Sequence, residues 1–281
     1  MHGILVIDKP KGYTSRDVVN IVSKKLHTKK VGHTGTLDPL ATGVLVLCVG
    51  DYTKLVSHLT NHEKEYIATI RFGIETDTLD ITGQVLKESD VIPSREKLEA
   101  VLESFLGCQL QEVPIYSAKK IKGKKLYEYA RNQEEVTLPI QNIEVKELEL
   151  LSFQGKEAVI RAVVSKGTYI RSLIRDIGYR LETYGVMCEL RRTKLGSFSI
   201  QNAQLLEKIE DDIILQDFTS CLVYDKKEIT EEELKIVKYR NELYLSSCAE
   251  YVLLTYQNQN VFLYVKNKER YKPFLIIDKS L

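Results

Sequence analysis

Short apolar runs that alternate with segments of helical spacing are the feature of this sequence that most restricts its fold. Residues 3–8 (GILVID) and 44–50 (VLVLCVG) are nearly unbroken apolar runs, as is typical of fully buried strands. In residues 65–73 (EYIATIRFG), every second position is apolar, which predicts a half-buried strand. Residues 16–27 and 98–106 carry apolar side chains at helical spacing. The sequence therefore predicts a mixed α/β (α+β) fold.

Turn and capping residues indicate where some of these elements begin and end. Ser15 precedes the first helical pattern and is a candidate N-cap. TEEE (230–233) has the composition of a capping box and predicts a short helix. Further on, VLLTY (252–256) and VFLYV (261–265) flank QNQN, which predicts a hairpin. We expect a boundary near residues 217–228, followed by a small appended domain of one helix and short strands.

Composition places the 281-residue chain among ordinary globular proteins. Hydrophobic residues make up 43% and charged residues 28%, which excludes disordered, collagenous and coiled-coil proteins. No stretch approaches the roughly eighteen apolar residues of a membrane-spanning helix, and the first residues do not resemble a secretory signal. We therefore expect a cytoplasmic protein. The five cysteines are widely spaced without a CxxC pair, which argues against a disulfide framework or a structural zinc site.

The net charge of +1 conceals an uneven distribution of charge along the chain. Residues 119–131 (KKIKGKKLYEYAR) contain six basic residues and one acidic residue, whereas residues 205–235 contain ten acidic and four basic residues. A local basic segment is the electrostatic signature of a phosphate-binding surface. It is equally consistent with the solvated face of a helix, and charge alone leaves both interpretations open.

The segment GHTGTLDPLATG (32–43) is the strongest candidate for a functional site. It combines three glycines, a histidine, a proline and a single carboxylate, Asp38, between a predicted helix and a buried strand. The P-loop pattern and the GxSxG nucleophile elbow are absent, and His33 with Asp38 is too small a set of ligands for a metal. The remaining possibility is a carboxylate that acts as a nucleophile or base without a metal. The alternative is that Asp38 only caps the turn.

A second candidate cluster lies in VSKGTYIRSL (164–173). Lys166 and Arg171 follow a predicted strand and enter a helix through Gly167. An arginine at this place can orient a carboxylate bidentately. A surface role in the first helical turn is less favourable, because the helix dipole disfavours cations there. Tyr66, on the half-buried strand, is either a stacking platform for a base or part of the core.

Long motifs in six segments carry a family resemblance. The segments are GILVIDKPKGYTSRDVV (3–19), GHTGTLDPLATGVL (32–45), EKEYIATIRFG with TDTLDITG (63–83), VPIYSAKKIKGKKLYEYAR (113–131), VSKGTYIRSLIRDIG (164–178) and ELRRTKLGSF (189–198). Over about residues 1–200 they resemble, in the same order, the motifs of the TruB-type tRNA pseudouridine synthases. The resemblance implies that the chain isomerises the T-loop uridine at tRNA position 55 to pseudouridine after flipping the base, without a cofactor or a metal.

The resemblance also implies roles for individual residues. Asp38 is expected to be the nucleophilic carboxylate, Arg171 its partner, and Tyr66 the ring that stacks on the uracil and assists the late proton removal. The expected substrate-binding residues are Lys9 and Pro10 below the pocket, His33 at the RNA loop, Leu190 in the pocket, Lys166, and the insertion lysines Lys119, Lys122 and Lys124.

The implied architecture is a catalytic domain over residues 1–222 and a small PUA-like, β-rich RNA-binding domain over residues 225–281. The catalytic domain is expected to contain a large, mainly antiparallel sheet with flanking helices and a thumb-like insertion at about residues 111–140. The expected partner is the T-arm stem-loop of tRNA, and a monomer is the default. Two other functions stay open: a guide-RNA-dependent synthase acting on ribosomal RNA, and a non-catalytic chaperone of tRNA folding.

Overall fold

The computed structural model describes residues 1–210 and 213–278. Its helices are α1 (Ser15–Lys25), α2 (Val56–Thr60), α3 (Arg95–Ser104), α4 (Leu126–Arg131), α5 (Ile170–Arg180) and α6 (Glu231–Lys238). Its strands are β1 (Gly3–Lys9), β2 (Val31–His33), β3 (Thr42–Val49), β4 (Lys64–Phe72), β5 (Ile74–Thr76), β6 (Val85–Glu88), β7 (Gly107–Glu112), β8 (Lys120–Ile121), β9 (Lys124–Lys125), β10 (Ile140–Gln154), β11 (Glu157–Val164), β12 (Gly185–Leu195), β13 (Phe198–Ser199), β14 (Gln204–Leu205), β15 (Tyr224–Glu228), β16 (Tyr251–Tyr256), β17 (Gln259–Asn267) and β18 (Arg270–Ile276). In this described part of the chain, none of the helices has the length and apolar character needed to cross a bilayer.

One large mixed sheet organises the first part of the chain. Its strands follow the order β14-β1-β3-β12-β4-β11-β10-β7, with β2 paired to β3 and β13 paired to β12. The pairings of β1 with β14 and of β3 with β12 are parallel, whereas the rest of the sheet within residues 1–210 is antiparallel. The predicted α+β class with a large, mainly antiparallel sheet and flanking helices is confirmed.

The burial of each strand explains its sequence pattern. Strand β1 is covered on both faces: Leu5 and Ile7 pack in the core that contains α1 and α5, while Ile4 and Val6 pack in a second core on the opposite face. An unbroken apolar run is therefore required there. Strand β4 buries alternate residues, as its sequence predicts, because its other face is only partly covered.

The start of α1 differs from the prediction. Thr14, and not Ser15, is the N-cap: its hydroxyl accepts from the Asp17 backbone N–H at 3.1 Å, and the Asp17 carboxylate accepts from the Thr14 N–H at 2.9 Å. Ser15 is buried, and its hydroxyl bonds to the backbone of Leu37 instead. The expectation that Ser15 caps the helix was wrong because this side chain holds a distant loop.

Between β7 and β10 the chain leaves the large sheet. It forms the small hairpin of β8 and β9, followed by the short helix α4. This segment lies within the basic stretch noted in the sequence, and Leu126 is its buried anchor. The backbone N–H of Leu126 donates to the carbonyl of Lys119 at 2.9 Å, which closes the hairpin onto the helix.

The last part of the chain forms a separate sheet with the order β15-β16-β17-β18, and α6 packs against it. The predicted capping box opens α6, with Thr230 as N-cap and Glu233 as its reciprocal partner. One face of this sheet contributes to the same core as β1 and β3, through Leu253 and Leu263 among others. The two sheets therefore share buried surface. Residues 279–281 of the predicted C-terminal domain, and residues 211–212 of the acidic segment, lie outside the described residues.

Candidate active site

A cavity of about 360 Å³ opens beside the loop that carries Asp38. Segments far apart in the sequence line this cavity. Among the predicted site residues it brings together Asp38, Tyr66, Lys119, Arg171 and Leu190. A cleft of a few hundred Å³ with converging polar groups is the usual form of a small-substrate site.

Backbone and side-chain hydrogen bonds fix the position of the Asp38 loop. The Ser15 hydroxyl donates to the Leu37 carbonyl at 3.2 Å and accepts from the Leu37 N–H at 2.8 Å. The Ala41 N–H donates to the Asp38 carbonyl at 3.0 Å. On the far side of the loop, the Gly12 N–H donates to the Pro39 carbonyl at 2.8 Å. The carboxylate is thus presented by a loop that is anchored on both sides.

Gly43 is the glycine of this loop whose conformation is indispensable. Its φ is +99°, and a Cβ atom at this position would lie 2.2 Å from the carbonyl oxygen of Arg192. This close approach is where β3 runs parallel to β12. The loop can join the sheet at this point because residue 43 has no side chain.

Asp38 and Arg171 form an ion pair at the base of the cavity. The Arg171 Nε lies 3.0 Å from the Asp38 carboxylate, and the arginine side chain is 6% exposed against 36% for the carboxylate. The two Nη atoms are occupied elsewhere: Nη1 donates to the Thr78 carbonyl at 2.8 Å and Nη2 to the Tyr116 carbonyl at 2.9 Å. The contact between the two side chains runs through Nε, while both Nη atoms bond to backbone carbonyls.

The sheet supplies one wall of the cavity. Tyr66 and Leu190 are both nearly buried, and they lie on the neighbouring strands β4 and β12. The direct cross-strand partner of Tyr66 is Arg192. A flat ring and an aliphatic side chain on the same wall, opposite a carboxylate, form a surface on which a planar base can stack.

Lys9 and Pro10 lie beneath the cavity rather than in it. Lys9 is fully buried, and its Nζ donates to the carbonyls of Pro10 at 3.0 Å, Tyr13 at 2.6 Å and Pro39 at 3.5 Å. Burial lowers the pKa of Lys9 to about 8. The ammonium group therefore supports the Asp38 loop from below. Pro10, whose carbonyl accepts one of these three bonds, is half-buried.

His33 is half-buried next to the cavity, at the end of β2. Its Nδ1 is buried without a hydrogen-bond partner within the described residues. Burial, reinforced by the positive charges of Arg16 and Arg192, lowers the pKa of His33. The neutral ring is therefore the form this environment favours.

The predicted lysines of the insertion and of the loop before α5 occupy different positions. Lys119 lines the cavity, whereas Lys122 lies in the β8–β9 turn with a φ of +50°. Lys124 bonds to the Glu134 carboxylate at 2.6 Å and lies 4.6 Å from the Tyr129 ring centroid. Lys166 is outside the cavity lining and donates to the Asn61 side chain at 2.8 Å. Of these four lysines, Lys119 alone is among the residues that line the cavity.

The polar lining residues missed by the sequence reasoning include Lys64, Ser117 and Arg192. Lys64 and Arg192 each stand two residues from a predicted site residue on the same strand, so strand alternation places them on the same face. That signal was present in the sequence. Ser117, in the insertion, has a buried hydroxyl without a hydrogen-bond partner of good geometry among the described residues, and no pattern marks it. The described residues contain no cluster of three or more His, Cys, Asp or Glu side chains that could hold a metal.

Family models and curated relatives match most of the chain. The TruB family pseudouridylate synthase N-terminal domain matches residues 23–170, and the tRNA pseudouridylate synthase B C-terminal domain matches residues 171–240. The tRNA pseudouridine synthase B of Caldanaerobacter subterraneus subsp. tengcongensis is 50% identical over 212 residues, 74% of each chain. That of Clostridium tetani is 43% identical over 244 residues, 85% of this chain and 84% of its own.

Solved structures share the fold at lower sequence identity. A chain of an H/ACA RNP bound to a substrate RNA containing 2′-deoxyuridine matches with a TM-score of 0.69 and 24% identity, covering 98% of this chain and 86% of that chain. A Cbf5-Nop10-Gar1 complex gives the same TM-score and identity over 98% of this chain and 84% of that chain. At this identity the likeness shows the fold alone.

Proposed function

The chain belongs to the TruB family of pseudouridylate synthases, and from that premise we propose its target nucleotide and the roles of its residues. The chain isomerises a uridine of tRNA to pseudouridine. The proposed target is the T-loop uridine at tRNA position 55. The observation that carries the proposal is the Asp38–Arg171 ion pair in a cavity with Tyr66 and Leu190 on its wall.

The proposed chemistry needs only groups that this cavity contains. The bond from N1 of uracil to C1′ of the ribose breaks, the base turns, and a bond from C5 to C1′ forms while the C5 proton leaves and N1 takes up a proton. No bond is oxidised, so the exchange needs neither a cofactor nor a metal. The Asp38 carboxylate starts the exchange as a nucleophile at C6 or C1′, or as a base at the ribose. Arg171 fixes the carboxylate through Nε.

The wall of the cavity holds the base while it turns. Tyr66 stacks on the uracil, and Leu190 packs against it. A base must leave its stack to reach this wall, at a cost of roughly a few kcal/mol. Phosphate contacts from Lys119, Lys122, Lys124 and Lys166 around the cavity offset that cost, with His33 holding the opened RNA loop. Such contacts weaken as salt increases.

The proposed partner is the T-arm stem-loop, bound by a monomer in the cytoplasm through the insertion at residues 111–140. Residues 225–281 are proposed as the PUA-like RNA-binding domain that follows a catalytic domain over residues 1–222. Tyr239 and Tyr244 support this role, because these two residues are 82% and 68% exposed. The Arg270 guanidinium lies 4.4 Å from the Tyr244 ring centroid, a typical platform for a nucleic-acid base. Because the two sheets share a core, point changes test this domain better than truncation.

The two other functions receive less support. The likeness to chains of H/ACA complexes is confined to the fold at 24% identity, whereas relatives at 50% identity are named tRNA pseudouridine synthase B. A chaperone of tRNA folding uses the same RNA-binding surface and does not need the Asp38–Arg171 pair. Retention of folding assistance by Asp38→Asn would identify that activity as separate from the isomerisation.

Mapping the product on a full tRNA transcript tests the proposed target. The purified chain alone is expected to convert position 55 and leave every other uridine unchanged. A transcript with cytidine at position 55 is the matched control, and no pseudouridine should form on it. Pseudouridine at another position, or none without a guide RNA, would overturn the proposed target.

A further inference from the structure

Two buried cations flank Tyr66 on the wall of the cavity. Lys64 precedes Tyr66 by two residues on β4, so both side chains face the same way. Arg192 is the cross-strand partner of Tyr66 on β12. Lys64 is 6% exposed and Arg192 is 1% exposed, and both line the cavity. Spacing within the strand puts the Cα atom of Lys64 about 7 Å from that of Tyr66. Pairing across the strands puts the Cα atom of Arg192 about 5 Å from that of Tyr66.

The hydrogen bonds of these cations go to neutral acceptors. The Lys64 Nζ donates to the carbonyls of Thr60 at 2.7 Å and His62 at 2.6 Å. The Arg192 Nε donates to the Val44 carbonyl at 2.7 Å, and its Nη2 to the Gly35 carbonyl at 3.1 Å. Among the described residues, neither side chain forms an ion pair with a carboxylate. Each keeps a further donor: the third N–H of Lys64 and Nη1 of Arg192.

The charge on the cavity wall exceeds what a uracil requires. The charged side chains among the described residues that line the cavity are Lys64, Lys119, Arg171 and Arg192 against Asp38, and Asp38 is already paired with Arg171. Uracil is neutral, and buried cations without a counter-charge cost free energy. Burial, together with Arg192 and Lys166, lowers the pKa of Lys64 to about 8, which is the sign of that cost. A bound anion would relieve it.

We propose that Lys64 and Arg192 form a binding site for a phosphodiester group next to the target nucleotide. The proposal rests on the proposed function, because it places the target uracil on Tyr66. The phosphates on either side of a stacked nucleotide lie only a few ångströms from its base. When the uracil stacks on Tyr66, a flanking phosphate is therefore close enough for Lys64 and Arg192 to contact it. Tyr66 then holds the base while Lys64 and Arg192 hold the backbone, which fixes the glycosidic bond in front of Asp38. Both residues contact substrate in this scheme and take no part in bond breaking.

Neutral phosphates test the site. T-arm stem-loops are made with a single methylphosphonate at the phosphate on the 5′ side or the 3′ side of the target, and at two distant loop positions. For the wild-type enzyme, one of the flanking substitutions is expected to weaken binding about tenfold or more, the size of one lost charged contact. The distant substitutions should change it less. Equal sensitivity at all positions would overturn the proposal without any variant protein.

A matched pair of variants assigns the contact to Lys64. In Lys64→Gln the sensitive methylphosphonate should cost no more than about twofold, because its partner is already gone, whereas Lys64→Arg should keep the sensitivity. Lys156→Gln, changed in the exposed β10–β11 turn outside the cavity lining, should keep the full wild-type sensitivity. An undiminished penalty in Lys64→Gln would show that Lys64 only supports the backbone of residues 60–62.

The binding readout separates this proposal from the proposed function. If the product maps to a different uridine, the function proposal fails, and the methylphosphonates are then placed beside the mapped uridine. If Lys64→Gln removes the affinity penalty of a methylphosphonate at that place, the phosphate site is supported although the proposed target is not. If position 55 is modified but Lys64→Gln changes the penalty at neither flanking phosphate, the phosphate site is overturned and the function proposal stays intact.

Discussion

Replacing Arg171 with methionine separates its structural contribution from its effect on Asp38. The guanidinium is almost completely buried and bonds to the carbonyls of Thr78 and Tyr116 at 2.8 and 2.9 Å. Each buried carbonyl left without a partner costs about 1–3 kcal/mol. With some relief from removing a buried charge, we expect Arg171→Met to lower the free energy of unfolding by about 2–4 kcal/mol.

Asp38→Asn is the matched comparison because it removes the other half of the same ion pair. The Asp38 side chain is 36% exposed, so water can replace it, and Arg171 keeps both carbonyl bonds. We expect this variant to lose less than about 1 kcal/mol. Urea unfolding gives both free energies, and single-turnover pseudouridine formation gives the rates. Both variants should be inactive, and the double variant should be no slower than Asp38→Asn. Equal stability losses in the two single variants, or an active Arg171→Met enzyme, would refute the reasoning.

Three further changes test the supports of the site. Ser15→Ala removes both hydroxyl bonds to Leu37, so urea unfolding should show a free energy of unfolding lower by about 1–2 kcal/mol. We also expect a lower kcat with little change in KM, and an unchanged kcat would contradict the anchoring role. Gly43→Ala places a Cβ atom 2.2 Å from the Arg192 carbonyl at a φ of +99°, so a loss of more than about 3 kcal/mol is expected, and an unaltered Tm would contradict it. For Lys64→Met the variable is pH. The pKa of Lys64 is about 8 in the folded protein and 10.5 for the solvent-exposed side chain of the unfolded chain. Between these values only the unfolded wild type stays protonated, so the wild type gains stability as pH rises. Relative to Lys64→Met that gain should be about 1.4 kcal/mol per pH unit, and a difference independent of pH would exclude the shifted lysine.

The sequence was informative wherever a residue's neighbours along the chain determine its environment. The alternation of β4 gave the strand and its buried face, and the capping box gave the start of α6. The glycine-rich loop identified Asp38, and the motif after β11 identified Arg171 as its partner. In each case the pattern and the structural constraint occupy the same few residues.

Other features depend on contacts between distant segments, which no local pattern encodes. Serine is a residue type that commonly caps helices, yet the Ser15 hydroxyl bonds to the backbone of Leu37, 22 positions away. Lys9 was expected below the pocket, but the carbonyl of Pro39, 30 positions away, is one of the three that enclose its ammonium group. The same holds for Arg171, since the two carbonyls that bond to its Nη atoms come from two other loops, which no pattern around Arg171 encodes.

Release of tritium from C5 of the target uracil tests the central claim most directly. The C5 hydrogen leaves only when C5 becomes the carbon bonded to the ribose. A T-arm transcript labelled at this position is incubated with wild type and with Asp38→Asn, both in the presence of EDTA, and tRNA binding is measured in parallel. The account predicts release by the wild type alone, with the affinity of Asp38→Asn within a few-fold of it. Release by Asp38→Asn at the wild-type rate, or none by a folded wild type that binds the transcript, would contradict the account.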